Sequence, residues 1–121
     1  MEEGMSTVFS TVELDDLIAS LASNDRELER TAAAIKAMAH PLRLKLLCLL
    51  GQGEMSVQSL TAHFTNTSQS NISQHLSQLL ERSVLVNRKA GNQVFYRVRD
   101  QSILGLVRAI KTSFCDEVTY N

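Results

Sequence analysis

The side chains of sharpest intrinsic reactivity in this 121-residue chain are its two cysteines, Cys48 and Cys115. They stand 67 positions apart, so they form no CxxC motif and offer no zinc spacing. A lone cysteine packs as a small apolar residue, and it reacts only where access and thiolate character allow. The two residues by themselves leave both readings open, although a permanent disulfide is not expected in a cytosolic protein. A second group is the run from Ser68 to Ser77. Ser70, Ser73, Gln74 and Ser77 share one helical stripe there, with Gln69 in the first turn and no acid before Glu81. Glutamine can bond adenine bidentately and serine can serve a base edge or a phosphate, so the stripe suits a major groove. An ordinary solvated helix face is usually dominated by Lys and Glu instead. A third group lies between residues 82 and 99, which hold Arg82, Arg88, Lys89, Arg97 and Arg99 and no acid. Arg88 and Lys89, nearest the tip of that segment, are expected to touch the phosphate backbone. No paired carboxylates, Ser-His-Asp set or glycine-rich phosphate loop accompanies these groups, so an enzyme is not expected. His40, His63 and His75 occur singly and are read as capping, surface or DNA-facing side chains rather than ligands.

The elements that must position these groups are mostly helical. Leu14, Leu17, Ile18 and Leu21 recur at i, i+3, i+4 and i+7, one face of a helix over residues 12–22. Ser23-Asn24-Asp25 ends it and caps a second helix over 26–39, with Leu28, Ala32, Ile35 and Ala39 on its expected packing stripe. His40-Pro41 is a boundary that suits the first turn of a new helix. That helix, 41–50, carries Leu42, Leu44, Leu46, Leu47, Cys48, Leu49 and Leu50 and is expected to be nearly buried. Gly51-Gln52-Gly53 closes it. Ser56 caps a short helix over 57–64, and after the polar turn Thr65-Asn66-Thr67, Ser68 caps a longer one reaching about Arg82. Two short helices across a tight polar turn describe a helix-turn-helix, here residues 56–82. Residues 84–89 and 93–99 alternate as strands joined at Ala90-Gly91-Asn92, a basic hairpin that serves as a wing. The last helix, 101–117, puts Ile103, Val107, Ile110 and Phe114 on one stripe, and a second subunit is the simplest cover for so apolar a face.

Charge is divided unevenly along the chain. Residues 1–30 hold eight acids and two bases, net −6, whereas residues 31–121 hold five acids and ten bases, net +5. The overall charge of −1 therefore conceals a basic body of the kind that phosphate neutralisation requires. No apolar run approaches the roughly 20 residues that span a bilayer, and the acidic start Met1-Glu2-Glu3-Gly4 lacks the pattern of a signal peptide. A cytoplasmic protein with no membrane partner is expected. The length allows one domain over 1–121, with residues 1–30 as an acidic extension bearing one helix.

These stretches resemble a known family. Ala37-Met38-Ala39-His40-Pro41-Leu42-Arg43-Leu44 looks like the entry to the central helix of the ArsR/SmtB winged-helix repressors. Ser68-Gln69-Ser70-Asn71-Ile72-Ser73-Gln74-His75-Leu76 is similar to that family's recognition helix, and with the wing the similarity covers residues 30–117. The fold this implies is mainly α with a β-hairpin wing, a winged helix-turn-helix that dimerises through its terminal helices. The resemblance implies a homodimer on a palindromic double-stranded DNA operator that leaves when an inducer arrives. Ser68, Gln69, Ser70, Ser73, Gln74, His75, Ser77, Arg88 and Lys89 would then form the DNA-binding set, and the helix in 1–30 would add to the dimer surface.

The inducer is narrowed by what the family's metal sites require. At the arsenic-type site this chain has Glu54-Met55-Ser56-Val57-Gln58-Ser59-Leu60, without the two thiolates. At the zinc-type site it has Asp100, Ser102, Ser113 and Asp116, without the imidazoles. No metal and no cofactor is therefore expected. Cys48 and Cys115 do match the dithiol of the family's persulfide- and redox-sensing branch. In that branch reactive sulfur species or an oxidant link the two thiols, directly or through added sulfur, and operator binding weakens. Two further readings remain from the sequence: the same repressor with a non-thiol inducer (a metal at a non-standard site or a small molecule), and a winged helix used for protein contacts.

Overall fold

The computed structural model describes residues 10–115, without the side chain of Leu21. The chain divides into two compact units, one ending at Ala33 and the other beginning at Ala34. In the first, helix α1 runs over Thr11–Ala22 and α2 starts at Asp25 and continues to Met38. Ser10 and Glu13 form a capping box, each side chain accepting the other's backbone N–H at 3.0 Å, and Asn24 accepts the Glu27 N–H to cap α2. Val12, Leu14, Leu17 and Ile18 of α1 are all exposed.

The second unit contains the end of α2, then α3 (Pro41–Leu50), β1 (Met55–Ser56), α4 (Val57–Thr61), α5 (Gln69–Glu81), β2 (Leu85–Ala90), β3 (Gln93–Val98) and α6 (Ser102–Phe114). This is the expected winged helix-turn-helix, with α4 and α5 as the motif and β2–β3 as the wing. Its core is continuous: Leu46, Leu47 and Leu50 of α3, Leu60 of α4, Ile72, Leu76 and Leu79 of α5, and Val84, Leu85, Tyr96 and Val98 from the wing. The i, i+4, i+7 spacing of Ile72, Leu76 and Leu79 turns one face of α5 wholly inward, so the opposite face must meet solvent.

Three elements depart from the sequence reading. The α2 residues that enter the core are Ala37 and Met38, with Ala34 packed beside them, whereas Leu28 and Ile35 are exposed. Helix α3 is fully buried only at Leu46, Leu47 and Leu50, with Leu42 and Leu49 half-buried beside them, so Leu44 and Cys48 are exposed rather than buried. Helix α4 stops at Thr61 instead of Phe64 because His63 N–H and Phe64 N–H turn back three residues, to Leu60 and Thr61 carbonyls. The sheet also has a third strand, the two-residue β1, which pairs antiparallel with β3 (Met55↔Tyr96, Ser56↔Phe95) in the order β1-β3-β2. Two residues alternate too briefly for periodicity to reveal a strand.

Two turns hold the wing in place. Helix α5 ends in a Schellman motif, with Ser83 N–H on the Leu80 carbonyl and Val84 N–H on the Leu79 carbonyl, both at 3.0 Å. This puts Ser83 at φ 62°, the one described non-glycine residue in the left-handed region. The hairpin closes at Gly91, whose φ of 64° meets the demand of a primed two-residue turn between Ala90 and Gln93. At the N-terminus of α6 the Asp100 carboxylate accepts the Ser102 N–H at 2.9 Å. Leu104 of α6 meets Gly51 closely: a Cβ there would lie 3.0 Å from Leu104 Cδ1, so the glycine lets α6 approach the end of α3. The expected extension of the last helix to Glu117 lies outside the described residues.

Candidate nucleic-acid interface and thiol pair

Helix α5 presents Gln69, Ser70, Gln74 and Ser77 to solvent, and Ser73 is half-buried at the edge of the same face. Ser68 is used locally, its hydroxyl accepting the Asn71 N–H at 3.0 Å as the N-cap, while Asn71 Nδ2 donates to Thr67 Oγ1 at 2.7 Å. The helix-turn-helix turn is therefore tied to the first turn of α5, which orients the polar face. His75 differs from the rest of the set. It sits half-buried on the flank, where its Nδ1 accepts Arg43 Nε–H at 3.0 Å. The same guanidinium donates from Nη1 to the Ala37 carbonyl at 2.8 Å. Arg43 thus links the end of α2, the start of α3 and the middle of α5.

His40 completes this cluster. Its Nδ1 accepts the Leu42 N–H as the N-cap of α3, and its ring lies 4.8 Å from that of His75. The histidines expected singly are therefore paired in two cases, and only His63 stands apart, its carbonyl accepting Lys45 Nζ at 2.9 Å. Burial, then the Arg43 charge and His40, push the His75 pKa below its ordinary value. Arg43 was not among the functional residues legible in the sequence. Its contacts cross 32 positions to His75, and no local pattern reports that.

On the wing, Lys89 is exposed near the tip, and Arg97 on β3 and Arg99 just after it are exposed as well. Arg88 is bound back onto the sheet. Arg88 opposes Phe95 on β3, which opposes Ser56 on β1, so these residues form one cross-strand row. Along this row the Arg88 guanidinium lies 5.1 Å from the Phe95 ring and reaches Glu54 with two 2.8 Å bonds, Nε to Oε2 and Nη2 to Oε1. The bond from Arg88 holds the Glu54 carboxyl below the usual carboxylate range, against a smaller opposing effect of desolvation. The pair is solvent-exposed, so it orients Arg88 more than it stabilises the fold.

Cys48 and Cys115 are both free and exposed, on α3 and at the C-cap of α6 respectively. Among the described residues no group of three or more His, Cys, Asp or Glu side chains is placed to hold a metal. No described helix is long and apolar enough to cross a membrane. Helix α6 has no fully buried residue: Ile103, Leu104 and Val107 pack against the core, whereas Leu106, Ile110 and Phe114 face outward.

Residues 40–82 match the profile of the family described as "Bacterial regulatory protein, arsR family". The chain is 35% identical over 95 residues to a biofilm growth-associated repressor of Agrobacterium fabrum, covering 78% of this chain and 80% of the relative. It is 32% identical over 96 residues to the transcriptional activator HlyU of Vibrio cholerae, covering 76% and 88%. The solved structure of HlyU superposes with a TM-score of 0.66 at 29% identity over 77% of this chain and 100% of that one. Mb0332 of Mycobacterium bovis, described as a homodimeric winged helix-turn-helix DNA-binding domain, shares the fold with a TM-score of 0.71 at 24% identity, covering 80% of this chain and 89% of that one.

Proposed function

The chain belongs to the arsR family of bacterial regulatory proteins, and on that premise we propose that it is a dimeric, cytoplasmic, DNA-binding repressor released by thiol chemistry. The observation that carries the DNA reading is the polar face of α5, which holds no acid before Glu81 in the last turn, is backed by a fully buried apolar stripe and is flanked by an exposed basic wing. Ser70, Ser73, Gln74 and Ser77 read base edges, with Gln69 entering at the first turn, and Ser68 holds that turn while its hydroxyl hydrogen remains available. His75 supports the helix from its flank. Lys89 and the unused edge of Arg88 meet phosphates, the Glu54 contact leaving Nη1 of Arg88 open. Leu106, Ile110 and Phe114 supply the surface for a second copy, which places two recognition helices on a palindromic operator.

The release reaction joins Cys48 to Cys115. Support comes from two free thiols, both exposed, on helices that approach each other where Leu104 meets Gly51. Linking them removes two protons and two electrons. A polysulfide accepts the electrons and leaves as hydrosulfide, or peroxide accepts them and leaves as water. The link changes the packing of α6 on α3 and with it the spacing of the recognition helices.

The test uses a duplex recovered from a random-sequence pool by the protein itself. Reduced protein is treated with polysulfide, and separately with peroxide, and each sample is divided between intact-mass measurement and binding by fluorescence anisotropy. A Cys48–Cys115 link that abolishes binding is the expected result. Unmodified thiols, or linked thiols with binding intact, overturn the sulfur switch and leave a repressor with a non-thiol inducer.

A further inference from the structure

We propose that the cleft beside α5 is a phosphate site, in which Arg43 anchors the DNA backbone on the flank of the recognition helix. The cleft has a volume of about 430 Å³ and is lined by Arg43, Gln74, His75, Ser77 and Gln78, with no acid among them. It therefore shares Gln74 and Ser77 with the groove-facing surface. A helix of roughly 10–12 Å diameter fills a major groove about 12 Å wide, so base edges lie before its centre line and phosphates lie at its flanks. Successive residues turn about 100° around the helix. With Gln74 facing the bases, His75 falls one step away on the flank, and Arg43 is bonded to it.

The guanidinium is built to accept an anion there. Nε–H is held by His75 Nδ1 and one Nη1–H by the Ala37 carbonyl, so the plane of the group is fixed from both sides. Both hydrogens of Nη2 and the second of Nη1 make no hydrogen bond among the described residues. Three donors in a fixed fork match phosphate oxygens, and the ordering of a long side chain is completed before DNA arrives. The inference rests on the reading that α5 enters a major groove.

The experiment measures full-length protein on a 30-base-pair random-sequence duplex over a salt series. Loss of one phosphate contact reduces the slope of log affinity against log salt by about 0.9. The dimer loses one contact per subunit, so the slope falls by about 1.8, and between 50 and 200 mM salt wild type should lose about 12-fold more affinity than Arg43→Gln. Arg43→Lys keeps the charge and should retain the wild-type slope. A purely structural Arg43 would alter thermal stability without moving the slope, so an unchanged slope in Arg43→Gln overturns the proposal. A second measurement needs no variant: phenylglyoxal modification of Arg43, mapped by peptide mass, should be slowed by the same duplex. Equal rates with and without DNA overturn it. Wild-type protein that fails to bind the duplex even at low salt refutes the groove reading itself, which separates that failure from failure of the Arg43 site alone.

Discussion

Phe114→Ala separates the fold from the assembly. Phe114 is 72% exposed, the most exposed of the large apolar side chains on α6, so the isolated subunit loses little by its removal. Covering a large apolar side chain contributes about 1.5–3 kcal/mol when the whole of it leaves water. The exposed share of Phe114 then corresponds to about 1–2 kcal/mol per subunit if a partner covers it. A two-fold interface uses the same residue twice, so the substitution costs about 2–4 kcal/mol per dimer. This raises the dimer dissociation constant roughly 30- to 700-fold. Sedimentation equilibrium on wild type and variant measures the shift, and far-ultraviolet circular dichroism checks that the helices remain. A variant with the wild-type dissociation constant would refute the reasoning, because the α6 face would then not be the surface on which subunits meet. Collapse of the helical signal would refute it differently, by showing that Phe114 belongs to the subunit's own core.

Other perturbations test the local physics. Ser83→Gly relieves a left-handed backbone at the end of α5 and should stabilise the protein by about 0.5–1 kcal/mol in denaturant unfolding; a loss of stability would contradict the cap. His75 must be unprotonated at Nδ1 to accept from Arg43, and its folded pKa lies below the ordinary 6.5. The unfolded chain therefore takes up the proton first, and stability should fall as pH drops from about 6.5 towards the depressed folded value while staying flat above it. In His75→Gln, whose amide oxygen can still accept from Arg43, that fall should vanish; melting curves from pH 5 to 8 that are superimposable for the two proteins would reject the mechanism. Glu54 and Asp100, with carboxyls held below their usual range, lose their contributions only in more acid solution, outside that window. Gln74→Ala should weaken binding to a selected duplex more than to random DNA, by about 1–3 kcal/mol of discrimination, and equal losses in a competition assay would deny it a base contact. Lys89→Ala should weaken both and flatten the salt slope by about 1.8, about 0.9 for each subunit of the dimer, and an unchanged slope would remove Lys89 from the phosphate contacts.

Much of the fold was legible because it rests on local rules. The Ser68 cap, the i, i+4, i+7 spacing of Ile72, Leu76 and Leu79, the Pro41 start of α3 and the Gly91 turn each need only neighbouring residues. The polar face of α5 follows from the same periodicity, since burying one stripe exposes its opposite. Residue type also singles out Cys48 and Cys115 as the two thiols of the chain, but it does not reveal their exposure.

Tertiary structure decided what depends on distant partners. Helix α3 is rich in leucine all round, so periodicity alone made it a buried helix; the core fully buries Leu46, Leu47 and Leu50, half-covers Leu42 and Leu49, and leaves Cys48 in solvent. The strand β1 exists because β3, some forty positions away, offers it hydrogen bonds. Arg88 reads as a free cation at a wing tip until Glu54 and Phe95 are brought onto its row of the sheet. Arg43 reads as a polar residue on an apolar helix until His75 is placed against it. Hydrophobic pattern and capping act between neighbours and can be read along the chain, whereas a charge or a thiol takes its role from what the fold sets beside it.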